Sequence, residues 1–151
     1  FISDLRNAKS KDEETRRVEK ELANIRKKFT SAGGNGNSSS NLSSYQRKKY
    51  VWKLVYIHVL GYDVDFGHSE IIALVSSHKF SEKQVGYVAL SLLLRGGDHM
   101  LTMVINTVRR DLGVLGESNE KHQPKNDAAQ ALALCSIANV GGLELIQALH
   151  V

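Results

Sequence analysis

Apolar residues recur at steps of three and four along most of this chain, and the stretches carrying that period are separated by glycines. Proline, the stronger helix breaker, occurs once in 151 residues. A repeat near 3.6 residues is the signature of helices that each bury one face against a neighbour. The spacing therefore predicts a chain that is helical throughout, with corners marked by Gly or Ser every 12–20 residues. Ten aromatics, five of them tyrosine, and 42% apolar residues are enough for a globular core and exclude wholesale disorder. No apolar run reaches the ~18 residues a membrane helix needs, because Lys53 and His58 interrupt the best stretch, Val51 to Leu60. The lone Cys135 excludes an internal disulfide, fits a reducing compartment, and is expected to be an inert buried thiol. The chain begins at Phe1, already inside an amphipathic pattern, and so reads as a piece of a longer protein.

The pattern predicts a short helix over residues 1–7, with Phe1, Ile2 and Leu5 on one face. Ser10 and Glu13 are spaced as a capping box for a helix from Lys11 to Phe29, whose stripe is Val18, Leu22, Ile25 and Phe29. Residues 30–44 (TSAGGNGNSSSNLSS) are uncharged and rich in Gly, Ser and Asn, the composition of a flexible loop. Further helices are expected from about Ser44 to Leu60, closed by a left-handed Gly61, and from Phe66 to about Ser77, capped by Asp65 with His68 nearby. Another runs from Glu82 to Arg95, with a Ser81/Gln84 capping box and Phe80 stapled on Val85. Two more cover Asp98 to Leu112 and residues 128–139, the second Ala-rich for close approach through Ala128, Ala131, Ala133 and Ala138, before a last segment at 143–151. Residues 113–126 read as an inserted loop. The helix at 82–95 is apolar nearly all round and so belongs between layers, which favours an open stack of helix pairs over a closed bundle.

Charge is unevenly spread. Residues 1–60 hold thirteen Lys/Arg against six Asp/Glu, and residues 61–151 hold seven against ten, so a basic end faces an acidic remainder. The cations cluster as Arg26, Lys27 and Lys28 at the end of one helix and Arg47, Lys48, Lys49 and Lys53, beside Tyr45, at the start of the next. Lys49 and Lys53 share a face, and the uncharged loop between the clusters allows them to converge. Packed cations repel unless an anion neutralises them, and a phosphate group suits several lysines, a helix N-terminus and a tyrosine hydroxyl. Five or six such residues at an anionic bilayer amount to ~5–6 kcal/mol before screening, enough for reversible docking. A solvated basic face, a phosphoinositide site and a nucleic-acid site all remain open from composition, the last weakened by few aromatics near the cluster. Arg6 sits beside the apolar Phe1, Ile2 and Leu5, either snorkelling or placed to meet an acidic ligand next to an apolar groove. The six histidines show no zinc spacing, and no nucleophile, phosphate-loop or dinucleotide motif occurs, so the residues argue for neither an enzyme nor a cofactor.

The segments FISDLRNAKSKDEETRRVEKELANIRKKF, YQRKKYVWKLVYIHVLGYDVDFGHSE, KQVGY and ALCSIANVG closely resemble the N-terminus of the alpha-adaptins, large subunits of plasma-membrane clathrin adaptors. Gamma-adaptins share the L-G-Y and F-G-H/Q-type segments and lack the K-K-Y-V-x-K-L block and the E-L-A-N-I-R run. The resemblance implies an all-α fold, a HEAT- or armadillo-like α-solenoid wound as a right-handed superhelix, of which residues 1–151 are the first part. It implies no enzymatic activity. It also implies binding of phosphatidylinositol 4,5-bisphosphate by Lys28, Tyr45, Arg47, Lys48, Lys49 and Lys53, with Arg47 standing where the family usually has lysine. A further arginine ligand of the family would lie upstream of Phe1. Arg6 matches the arginine that helps hold the acidic residue of dileucine cargo signals, beside the small sigma subunit. The expected partners are thus lipid head groups, the sigma, mu and beta subunits and cargo tails, without nucleic acid. The expected place is the cytoplasmic face of the plasma membrane, in clathrin-coated pits. The loop at 30–44 and the insertion near 114–126 depart from the family pattern.

Overall fold

A computed structural model describes residues 1–33, 42–94, 99–113, 127–141 and 147. Among them the regular structure is helical without strands: α1 (Ile2–Arg6), α2 (Lys11–Gly33), α3 (Ser44–Val59), α4 (His68–Val75), α5 (Phe80–Leu93), α6 (Thr102–Asp111) and α7 (Asp127–Val140), with a 3₁₀ turn at His99–Leu101 leading into α6. Helices α2/α3, α4/α5 and α6/α7 pack as successive pairs. The second members, α3, α5 and α7, stack on one another, and α4 stacks on α6. Two rows of helices are the solenoid arrangement, and α5 lies between α3 and α7 as its all-round apolar sequence requires. The core follows the periodic stripes: Val18 and Ile25 of α2, Val51, Leu54 and Ile57 of α3, Ile71, Leu74 and Val75 of α4, and Tyr87, Ala89 and Leu90 of α5.

Local signals set most helix ends. The Ser10 hydroxyl accepts from the Glu13 N–H at 3.2 Å, while the Glu13 carboxylate reaches back to the Lys9 N–H at 3.0 Å rather than to Ser10. Gly61, at φ +93°, closes α3: its N–H bonds the His58 carbonyl and the Tyr62 N–H bonds that of Ile57, the paired pattern of a left-handed terminus. A Ser43/Gln46 capping box starts α3.

Several boundaries differ from expectation. Helix α2 continues through Thr30 to Gly33, into the stretch read as loop, where the Thr30 hydroxyl bonds the Arg26 carbonyl at 2.9 Å. Residues 34–41 and 114–126 lie outside the described residues, as do 95–98 and most of 142–151. Helix α4 begins at His68 and is capped by Gly67, whose carbonyl accepts from Glu70 and Ile71; Asp65 instead pairs with Arg26 at 2.8 Å. Gly67 is required there because a Cβ at its φ of +91° would come within 2.7 Å of Leu54. Helix α5 starts two residues early, at Phe80, because the Ser77 hydroxyl accepts from the Lys79 N–H and donates to Glu82, leaving Ser81/Gln84 inside the helix and Phe80 exposed. On α7 the buried small residues are Ala129, Ala133 and Ser136, whereas Ala128, Ala131 and Ala138 are exposed. Cys135 is exposed beside Leu134, not buried, because the core-facing stripe of α7 runs through Ala129, Ala133 and Ser136 and leaves both on the outer face.

Candidate functional site, a basic aromatic groove on the third helix

The capping box at Ser43 fixes where α3 starts, and so fixes which residues share its faces. At ~100° per residue, Tyr45, Lys48, Lys49, Trp52, Lys53 and Tyr56 fall within an arc of about 140°, opposite the buried Val51, Leu54 and Ile57. These six line a groove of about 440 Å³, closed at one end by Phe1 and Ile2 at the start of α1. Tyr45 is 70% exposed and Trp52 44%; Phe1 meets Tyr56 edge-on, ring centres 6.3 Å apart. Among the described residues Lys48 and Lys49 make no ion pair. The groove therefore combines an aromatic floor with two uncompensated ammonium groups.

The other cations read from the sequence have different fates. Lys53 reaches the groove but is paired with Glu21 of α2, and its Nζ lies 5.2 Å from the Phe1 ring centre and 5.8 Å from that of Tyr50. Its charge is shared between the anionic partner and two ring faces, and it fastens α3 to α1 and α2. Arg47 is on the opposite side of α3, in phase with the buried residues, and its Nε donates to Glu70 of α4 at 2.5 Å. It is thereby removed from the groove and acts as a strut between helices. Lys28 is exposed and is not among the residues lining the groove. Glu21–Lys53 and the edge-on Phe29–Tyr50 contact (6.2 Å) show that α2 and α3 run antiparallel. Glu21, Asn24 and Lys28 share one side of α2 at steps of three and four, so Lys28 continues that side towards the Tyr45 end of α3. Arg26 stacks on Phe66, 4.5 Å from its centre, and pairs with Asp65.

Arg6 is exposed at the end of α1 and lines neither this groove nor a second one of about 520 Å³. That second groove lies between α1 and α2, walled by Asp4, Leu5, Arg17, Lys20, Glu21 and Asn24. Sequence reasoning missed Trp52 and Tyr56 as site residues. Their signal was present: 45, 48/49, 52 and 56 repeat at helical spacing, but apolar members of such a stripe are more often core.

Among the described residues no three His, Cys, Asp or Glu are grouped to hold a metal, and no helix is long and apolar enough to cross a membrane. The arrangement suits binding of a multiply charged anion at an apolar–aqueous boundary.

Residues 14–150 match the adaptin N-terminal region. The chain is 47% identical over 147 residues to AP-2 complex subunit alpha-2 of Dictyostelium discoideum, covering 97% of the chain and 13% of that protein. Against AP-2 complex subunit alpha of Schizosaccharomyces pombe it is 45% identical over 151 residues, 99% of the chain and 15% of the relative. A mouse AP-1 complex subunit gamma-like 2 is 33% identical over 147 residues, 96% of the chain and 16% of that protein. The chain thus spans about one-seventh of the length of the alpha subunits it matches.

Proposed function

Because the chain belongs to the adaptin family and matches its N-terminal region, we propose that it is the first part of the trunk of an AP-2-type alpha subunit, acting in clathrin-mediated endocytosis by binding alone. In this reading the α3 groove docks on phosphatidylinositol 4,5-bisphosphate at the cytoplasmic face of the plasma membrane. The observation that carries it is the pair of unneutralised lysines, Lys48 and Lys49, held on one face of α3 beside the exposed Tyr45 hydroxyl. Lys28, on the side of α2 that runs towards Tyr45, adds its charge to the anion site, and Lys53, paired with Glu21, ties α3 to α2 beside it. Arg6, exposed at the end of α1, meets the acidic residue of dileucine cargo tails together with a sigma subunit; mu and beta subunits complete the complex. Weak lipid and cargo contacts on one rigid body reinforce each other through effective concentration.

The test is vesicle binding. Each basic residue near an anionic bilayer contributes ~1 kcal/mol, so replacing Lys48 and Lys49 together with Ala should weaken binding to phosphoinositide vesicles by about thirtyfold at low salt. Arg47→Ala, which breaks only the Glu70 strut, should change affinity less than about threefold. Undiminished binding by the double variant would refute the site. A second reading, single-stranded nucleic acid, draws on Tyr45 and Trp52 as stacking platforms beside lysines. Tighter binding of RNA than of inositol phosphates at matched salt would favour it.

A further inference from the structure

Trp52 is the chain's single tryptophan and has no core role: it is 44% exposed on the rim of the α3 groove, one turn from Lys48 and Lys49. Tyr45 at 70% and Ile2 at 45% exposure flank it at the same groove. A site for a soluble polyanion gains nothing from an aqueous indole, and solvation favours a polar residue there. The boundary between head groups and acyl chains is where an amphipathic indole is most stable, while neighbouring lysines keep their ammonium groups among the phosphates. We infer that Trp52, with Tyr45 and Ile2 beside it, enters the interfacial layer of an anionic bilayer while Lys48 and Lys49 hold the phosphates, a step that rests on the lipid-docking reading above.

The charge pattern selects this occupant. The apolar strip is bordered by Lys48, Lys49 and Lys53, with no carboxylate among the residues lining the groove. An anionic surface with an apolar layer beneath it matches both features, whereas an acidic peptide or a free inositol phosphate matches only the charge. Insertion also fixes the orientation of the docked molecule, because α3 must then lie with its Tyr45–Tyr56 face on the membrane.

The experiment compares phosphatidylcholine vesicles containing phosphatidylinositol 4,5-bisphosphate with soluble inositol hexakisphosphate. The emission of Trp52 is isolated as the difference between the wild type and Trp52→Phe, so that tryptophans elsewhere in a full-length protein cancel. Vesicles should shift this emission to the blue and brominated acyl chains should quench it, whereas inositol hexakisphosphate should do neither. Trp52→Ser should weaken vesicle binding about tenfold and leave inositol hexakisphosphate binding unchanged. Vesicle binding without a blue shift or quenching, or with the affinity of Trp52→Ser unchanged, overturns insertion while leaving electrostatic docking intact. Failure of the wild type to bind both vesicles and inositol hexakisphosphate overturns the docking reading itself, and insertion with it.

Discussion

Asp111→Ala should destabilise the fold by about 3–5 kcal/mol, because it strands a buried ammonium group. Lys83 is 6% exposed, and its Nζ donates to the Asp111 carboxylate at 2.5 Å and to the Val75 carbonyl at 3.1 Å. The Tyr87 hydroxyl donates to the same Asp111 oxygen at 2.7 Å. Burial, then the neighbouring carboxylate, pushes the Tyr87 phenol far above its ordinary pKa, so it stays a donor at any accessible pH. Three elements meet here: the end of α4 at Val75, the first half of α5 and the last turn of α6. Removing the carboxylate leaves Lys83 with one carbonyl and Tyr87 with no acceptor among the contacts seen, and both must stay buried or drag the helices open. Chemical denaturation should show the loss as a lower midpoint, and thermal unfolding should fall by roughly 10 °C. Replacing Lys83 with Met in the same variant should recover much of the loss, because no buried charge then lacks a partner. If Asp111→Ala unfolds at the wild-type midpoint, the triad has no role in holding α6 to the solenoid.

Gly86→Ala should cost about 2 kcal/mol, the reverse of what helix propensity predicts. In an ordinary helix interior this change gains ~1 kcal/mol. Here a Cβ on residue 86 would stand 2.5 Å from the Val75 nitrogen and 2.9 Å from the Leu74 carbonyl carbon. Both obstacles are backbone, so relief requires α4 and α5 to separate rather than a side chain to turn. Separation would also pull the Val75 carbonyl from Lys83. The double variant should therefore lose less than the sum of the Gly86→Ala and Asp111→Ala losses, since both act on the Val75 turn. Equilibrium unfolding of the two singles and the double measures this directly; a stabilised Gly86→Ala would mean that the two helices do not approach as closely as they do here.

What the sequence could and could not reveal follows from the range of each signal. The α2 stripe of Val18, Leu22, Ile25 and Phe29 is local and periodic, and it packs as expected. Gly61 closes α3 with both hydrogen bonds of a left-handed terminus, because nothing distant competes at that corner. The paired rows of helices likewise follow from helix lengths and the all-round apolar α5. Asp65 failed as a cap because Arg26, 39 positions away, claims its carboxylate, and sequence spacing carries no trace of that contact. Arg47 is a mixed case. Its phase on α3, shared with Val51 and Leu54, was available from the helical period and sets it apart from Lys48 and Lys49. Its partner Glu70 was not legible. The Lys83–Asp111 pair, 28 residues apart, was invisible for the same reason, and Lys83 reads in sequence as an ordinary surface lysine. The groove was half legible: its cations stood out as a cluster, while Trp52 and Tyr56, on the same face of α3, carried no signal that separates groove lining from core.

The claim on which the functional account depends is that phosphates are held by one face of α3 rather than by the basic end as a whole. NMR of the lysine ammonium and arginine guanidinium groups during titration with soluble inositol 1,4,5-trisphosphate tests it side chain by side chain. The account predicts the largest, saturable shifts at Lys48 and Lys49, a smaller one at Lys28, and little change at the Arg47 guanidinium held by Glu70. Equal, non-saturating shifts over all the lysines, or saturation centred on Lys9 and Lys11 instead, would contradict it.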